Sequence, residues 1–109
     1  MNNEEKKLKL VQRLHAKTRA GEIAWERTAH ADVFQTAFPN HTVKLRPDFV
    51  VEVADEKGTA IESVRDVDIR RVFPQTKAHQ LIEEPYTMAR RQVEGVDGAL
   101  DSLLVELEG

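Results

Sequence analysis

Between Phe34 and Val64 apolar and polar side chains alternate through three segments, and turn chemistry marks each break between them. A period of two is the signature of strands with one face buried, so this stretch predicts an antiparallel meander. The first strand runs from Val33 to Phe38, with Phe34, Thr36 and Phe38 on one face, and Pro39-Asn40 turns the chain. His41 to Arg46 follows with Val43 and Leu45 inward. Pro47 has no amide hydrogen to donate, so it breaks the ladder and corners the chain into the next strand. There Phe49, Val51 and Val53 share one face, and Val50, Glu52 and Ala54 the other. Asp55-Glu56-Lys57-Gly58 has aspartate first and glycine last, the composition of a type I turn closing a hairpin onto Thr59–Val64. Upstream, Ile23 and Trp25 alternate with charges and predict a short edge strand within Glu22–Thr28, before a polar loop to Asp32.

The flanks have helical spacing instead. Leu10, Val11, Leu14 and Thr18 form one stripe in a helix from about Glu4 to Ala20, which Gly21 ends. After Arg65, Asp66 or Asp68 is placed to cap a short helical turn holding Val67, Ile69, Val72 and Phe73, stopped by Pro74. Thr76–Glu84 reads as helix with Leu81 and Ile82 inward, and Pro85 either kinks it or opens a new helix, leaving the count to Glu94 open. Beyond Gly95, Asp97 is placed to cap a last helix whose Val96, Leu100, Leu103, Leu104 and Leu107 form a stripe expected to be buried. The expected fold class is α+β: an N-terminal helix, an antiparallel β-meander of three to five strands, and two or three C-terminal helices covering one sheet face, in a single domain spanning residues 1–109. The other face becomes an interface, a homodimer being one form, if Val33, Ala37, Val50 and Ala60 stay exposed.

Composition narrows the chemistry. With 109 residues, 32% charged and 40% hydrophobic, the chain is long enough for one modest core and too apolar for disorder. It has no cysteine, which removes disulfides, thiolate zinc sites and cysteine nucleophiles and fits a cytoplasmic setting. No apolar run approaches the roughly 20 residues of a membrane span, and Met1-Asn2-Asn3-Glu4-Glu5 lacks the order of a secretory signal. Charge is uneven: seven Lys or Arg against four acids through Thr28, then five acids and no base after Arg91. A net charge of −3 argues against a dedicated nucleic-acid binder, so the basic first helix is expected either to attract the acidic last one or to leave it for a basic groove on another protein.

Catalytic motifs are weaker than their structural readings. Pro47-Asp48 and Asp55-Glu56-Lys57 match the letters of a metal-dependent nuclease, but seven residues of extended chain put the two acids roughly 23 Å apart, too far to share an ion. His15, His30, His41 and His79 include no i, i+4 pair and are expected at the surface. Asp66 and Asp68 suit a helix start as well as a metal. The five glycines are dispersed and build no phosphate loop, and Ser63 and Ser102 sit in no nucleophile elbow. The expectation is therefore no catalytic residue, no cofactor and no metal.

Leu14-His15-Ala16-Lys17-Thr18, Trp25-Glu26-Arg27-Thr28, the Glu52–Gly58 hairpin and the ending from Ala89-Arg90-Arg91-Gln92 through Gly95-Val96-Asp97 to Leu104 together resemble small uncharacterised proteins of bacteria and their mobile elements. That family carries no assigned chemistry, and Phe73–Pro85 is longer and more broken here than the resemblance implies. The resemblance and the charge pattern lead to a non-enzymatic protein-binding module with a regulatory or inhibitory role, for example against a host defence complex. Trp25, Asp97, Asp101, Glu106 and Glu108 are the candidate partner-binding residues. The alternatives are a small metal-dependent enzyme or enzyme subunit built on Trp25, Asp48, Asp66 and Asp68, and nucleic-acid binding through the basic first helix.

Overall fold

The computed structural model describes residues 1–109, apart from the side chain of Asp97. The order is α1 (Asn3–Arg19), β1 (Glu26–Arg27), β2 (Phe34–Ala37), β3 (His41–Leu45), β4 (Val50–Asp55), β5 (Ala60–Arg65), α2 (Asp66–Val72), α3 (Ala78–Glu94) and α4 (Val96–Glu108). The five strands form one antiparallel sheet in sequence order, an α+β fold with a β-meander as the alternation predicts. Register puts Phe34, Leu45, Val51 and Val64 in one row across the sheet. All four are buried, together with Val11 and Leu14 of α1, Ile69 of α2, and Ile82, Tyr86 and Ala89 of α3. The opposite face carries the row Gln35, Lys44, Glu52 and Ser63. On that side Val50 and Ala54 are enclosed and Val33 is half-buried, while Ala37 and Ala60 remain exposed.

Two hairpins share one hydrogen-bond pattern. In the second, Gly58 N–H donates to the Asp55 carbonyl and Asp55 N–H to the Thr59 carbonyl, while the Asp55 carboxylate takes the amides of Lys57 and Thr59. Gly58 sits at φ +87°, the left-handed residue that completes a three-residue loop. Gly58→Val is expected to destabilise the fold by more than about 1 kcal/mol, read as a lower urea midpoint; an unchanged midpoint would contradict the turn. In the first, Phe49 N–H donates to Arg46 and Arg46 N–H to Val50, so Phe49, at φ +60°, stands where the second hairpin has glycine. A left-handed L-residue costs about 1–2 kcal/mol. Phe49 offsets this by edge contacts with Tyr86 at 5.8 Å and His79 at 5.4 Å, each aromatic contact worth about 0.5–1.5 kcal/mol.

Several expectations shift at the edges. Phe38 lies beyond β2 and is 45% exposed. Ile23 and Trp25 are buried as the alternation implies, yet the strand is only Glu26–Arg27, because the Gln92 side chain replaces a neighbouring strand. It accepts the Trp25 N–H and donates to the Ile23 carbonyl at 3.2 Å. Of the apolar residues predicted inward on α2 only Ile69 is buried, Val67 and Val72 facing out. α3 runs unbroken through Pro85. Losing one helical hydrogen bond there is tolerated because Pro85 is itself enclosed among packed neighbours.

The largest difference is α4. Val96 at its start is half-buried, but the leucines of its stripe are not buried: exposure runs from 48% at Leu103 to 74% at Leu107. Five strands span about 20 Å, and two helices at 8–10 Å spacing already cover that width. α1 and α3 occupy it, so no sheet remains for α4. Gly95, left-handed at φ +63°, ends α3 and starts α4 in a new direction. The radius of gyration is 15.6 Å, against about 13 Å for a compact chain of this length, and the longest axis reaches 57 Å.

Candidate functional site

Four surfaces hold grouped chemistry. A hollow of about 540 Å³ on the polar sheet face is lined by residues including His30, Lys44, Arg46, Asp48 and Glu52. Arg46 lies 3.6 Å from Asp48 and 3.3 Å from Glu52, so both acids already have their cation. The Thr28 hydroxyl closes its own loop, receiving His30 N–H at 3.1 Å and standing 3.0 Å from the carbonyls of His30 and Val33. The hollow therefore presents neither a nucleophile with a base nor a surplus of one charge.

The second group joins α3 to the loop before β2. The Tyr86 hydroxyl donates to the Asp32 carbonyl at 2.6 Å, and Arg90 reaches the Asp32 carboxylate at 2.9 Å while lying over the Tyr86 ring. Arg90 is pushed up from its ordinary value, first by its hydrogen bond to Tyr86. Asp32 is left-handed at φ +62°, which an aspartate tolerates, and both its ends are held. This is a clamp on the loop.

The third group contains residues proposed for a metal enzyme. Asp66 stands 3.3 Å from Arg70 and 3.4 Å from His79, and Asp68 accepts the Arg65 N–H at 3.1 Å across the start of α2. These acids are engaged in starting and bracing a helix. The spacing implied one strand for Asp48 and Asp55, but Asp48 lies in the turn between Arg46 and Val50, and Asp55 is the last residue of β4, at its far end. No group of three or more His, Asp or Glu placed to hold a metal ion occurs among the described residues. His15, expected at the surface, is half-buried and ties α1 to α3 through Glu84 at 2.8 Å.

The fourth surface is α4, where Gly98 to Gly109 are all exposed. At 100° per residue Leu100, Leu103, Leu104 and Leu107 fall within an arc of about 100°. Asp101 and Glu108 flank one edge of the arc and Glu106 the other, all three exposed. They are thus candidate partner-binding residues on one helix, joined there by the leucines that the sequence pattern placed in the core. The Asp97 side chain lies outside the described residues. Trp25 is a correction: at 4% exposure, with its indole N–H donated to Thr18 Oγ1 at 3.2 Å, it belongs to the interior and reaches no partner. The predicted attraction between α1 and α4 is also not the arrangement adopted. Among the described residues, ion pairs from α1 go to Glu22, Glu62 and Glu84. No helix is long and apolar enough to cross a membrane, among the described residues. No family model matches the chain, and neither a curated protein nor a solved structure matches it.

Proposed function

We propose that the chain is a non-enzymatic protein-binding module that regulates or inhibits a partner protein by seating α4 on it. The observation that carries this reading is the row of leucines on α4 left uncovered while the apolar stripes of α1 and α3, the other long helices, are used by the core. An exposed contiguous apolar surface of this kind marks an interaction site, and a helix that offers anchors at i, i+3, i+4 and i+7 is a recurrent form of it. The grouped polar residues elsewhere are occupied with one another, which favours binding over catalysis. The experiment is a paired measurement on Leu100→Ala/Leu103→Ala/Leu107→Ala. Co-purification of a partner from the cell of origin is expected to be lost while the unfolding midpoint stays put, and retained co-purification would reject the reading.

A further inference from the structure

We infer that the occupant of α4 is an apolar groove with a Lys/Arg rim on a different protein, an inference that rests on the protein-binding reading above. Charge gives the rim. Asp101, Glu106 and Glu108 flank the leucine arc on both sides, and α4 has no Lys or Arg at all. Helices that lie on lipid are rich in Lys and Arg on their polar face, so an anionic membrane repels this one.

Size argues against a second copy. α4 has 13 residues and is about 20 Å long. Two such helices side by side share a seam 8–10 Å across, on the order of 200 Å² of footprint each, against roughly 800 Å² per partner in a stable interface. They also bring acids together with no base between them. The leucine arc is wider than a two-stranded seam, and Val105 on the far side is exposed too. Such a helix is satisfied by walls on more than one side. The chain's own hollows suit it poorly: the one edged by Lys6 and Lys7 beside Leu10 is about 200 Å³, room for one side chain rather than a row over two turns, and those holding Lys44 and Arg46, or Arg19, carry two acids each. The outer face of α1 carries Lys6, Lys9 and Arg13, while the leucines of that helix, Leu8, Leu10 and Leu14, pack on the core.

The test titrates the full chain with two synthetic amphipathic peptides of about three heptads, both with Leu at the seam, one with Lys and one with Glu at the flanking positions. The Lys peptide is expected to bind at least about tenfold more tightly, and to weaken as salt rises from about 0.05 M to about 0.5 M. Asp101→Lys/Glu106→Lys is expected to reverse the preference. Equal binding of the two peptides, or a preference unchanged in that variant, overturns the basic rim while leaving α4 a docking helix. Dimerisation of the chain alone in sedimentation, lost in Leu103→Ala, overturns it in favour of a second copy. Binding of neither peptide, with Leu103→Ala lowering the unfolding midpoint, overturns both this inference and the protein-binding reading, because the stripe then belongs to the fold.

Discussion

Replacing Trp25 with alanine is expected to lower the stability of the fold by about 3–5 kcal/mol, the usual loss for a large aromatic removed from a core. Trp25 is buried against α1 and holds a hydrogen bond to Thr18, itself buried. Its backbone is pinned by Gln92 of α3, so the side chain sits where the first helix, the third helix and the sheet edge converge. A domain of this size has about 5–15 kcal/mol in all, and each kcal/mol moves the midpoint by several degrees. Trp25→Phe separates the two contributions. It keeps most of the apolar volume and removes the indole N–H, so about 1 kcal/mol is expected. A loss below about 1 kcal/mol for the alanine variant, measured by urea unfolding, would place Trp25 outside the core and return it to the partner surface.

The opposite behaviour is expected of α4. Leu100→Ala/Leu103→Ala/Leu107→Ala keeps the helix, alanine being the best helix former, and removes only the exposed stripe. Three buried leucines would lose about 2–5 kcal/mol each. Three half-exposed ones outside the core cluster are expected to change unfolding by less than about 1 kcal/mol together. Binding responds differently, since anchors at the centre of an interface each contribute about 2 kcal/mol or more. Losing three of them removes detectable association at micromolar concentration. A fall in stability of several kcal/mol in this variant would show that the stripe is core.

The sheet was legible because its information is local: alternation sets which face is buried, and Asp55 and Gly58 set the turn that fixes register. What lay outside local reach was decided by neighbours distant in sequence. Phe49 adopts a glycine conformation because Tyr86 and His79, on α3, hold its ring. Pro85 stays inside a helix because its surroundings outweigh the lost bond, and Ile23–Trp25 misses strand pairing because a glutamine from α3 supplies it. Trp25 is a residue type common at interfaces, but its alternation with Ile23 already signals an inward face. The helix of α4 was readable from spacing, and so were its acids. That its stripe lacks cover was not, because an amphipathic pattern says only that a face wants burial. Counting would have helped: a sheet of five strands is filled by two helices, and the pattern held a further amphipathic helix.

The claim that α4 stands outside the cooperative core is tested most directly by native-state amide hydrogen exchange, read residue by residue along α3 and α4. A 13-residue helix without tertiary cover is marginal in water, so its amides open locally at a small fraction of the global unfolding free energy. Ile82, Tyr86 and Ala89 are buried, so the amides around them are expected to exchange only by global unfolding. The account predicts a sharp drop in protection after Gly95, with amides from Leu100 to Leu107 exchanging orders of magnitude faster than those of α3. Protection in α4 equal to that of Ile82 and Ala89 in the isolated monomer would contradict it, since the helix would then be packed into the fold and have no free face to offer a partner.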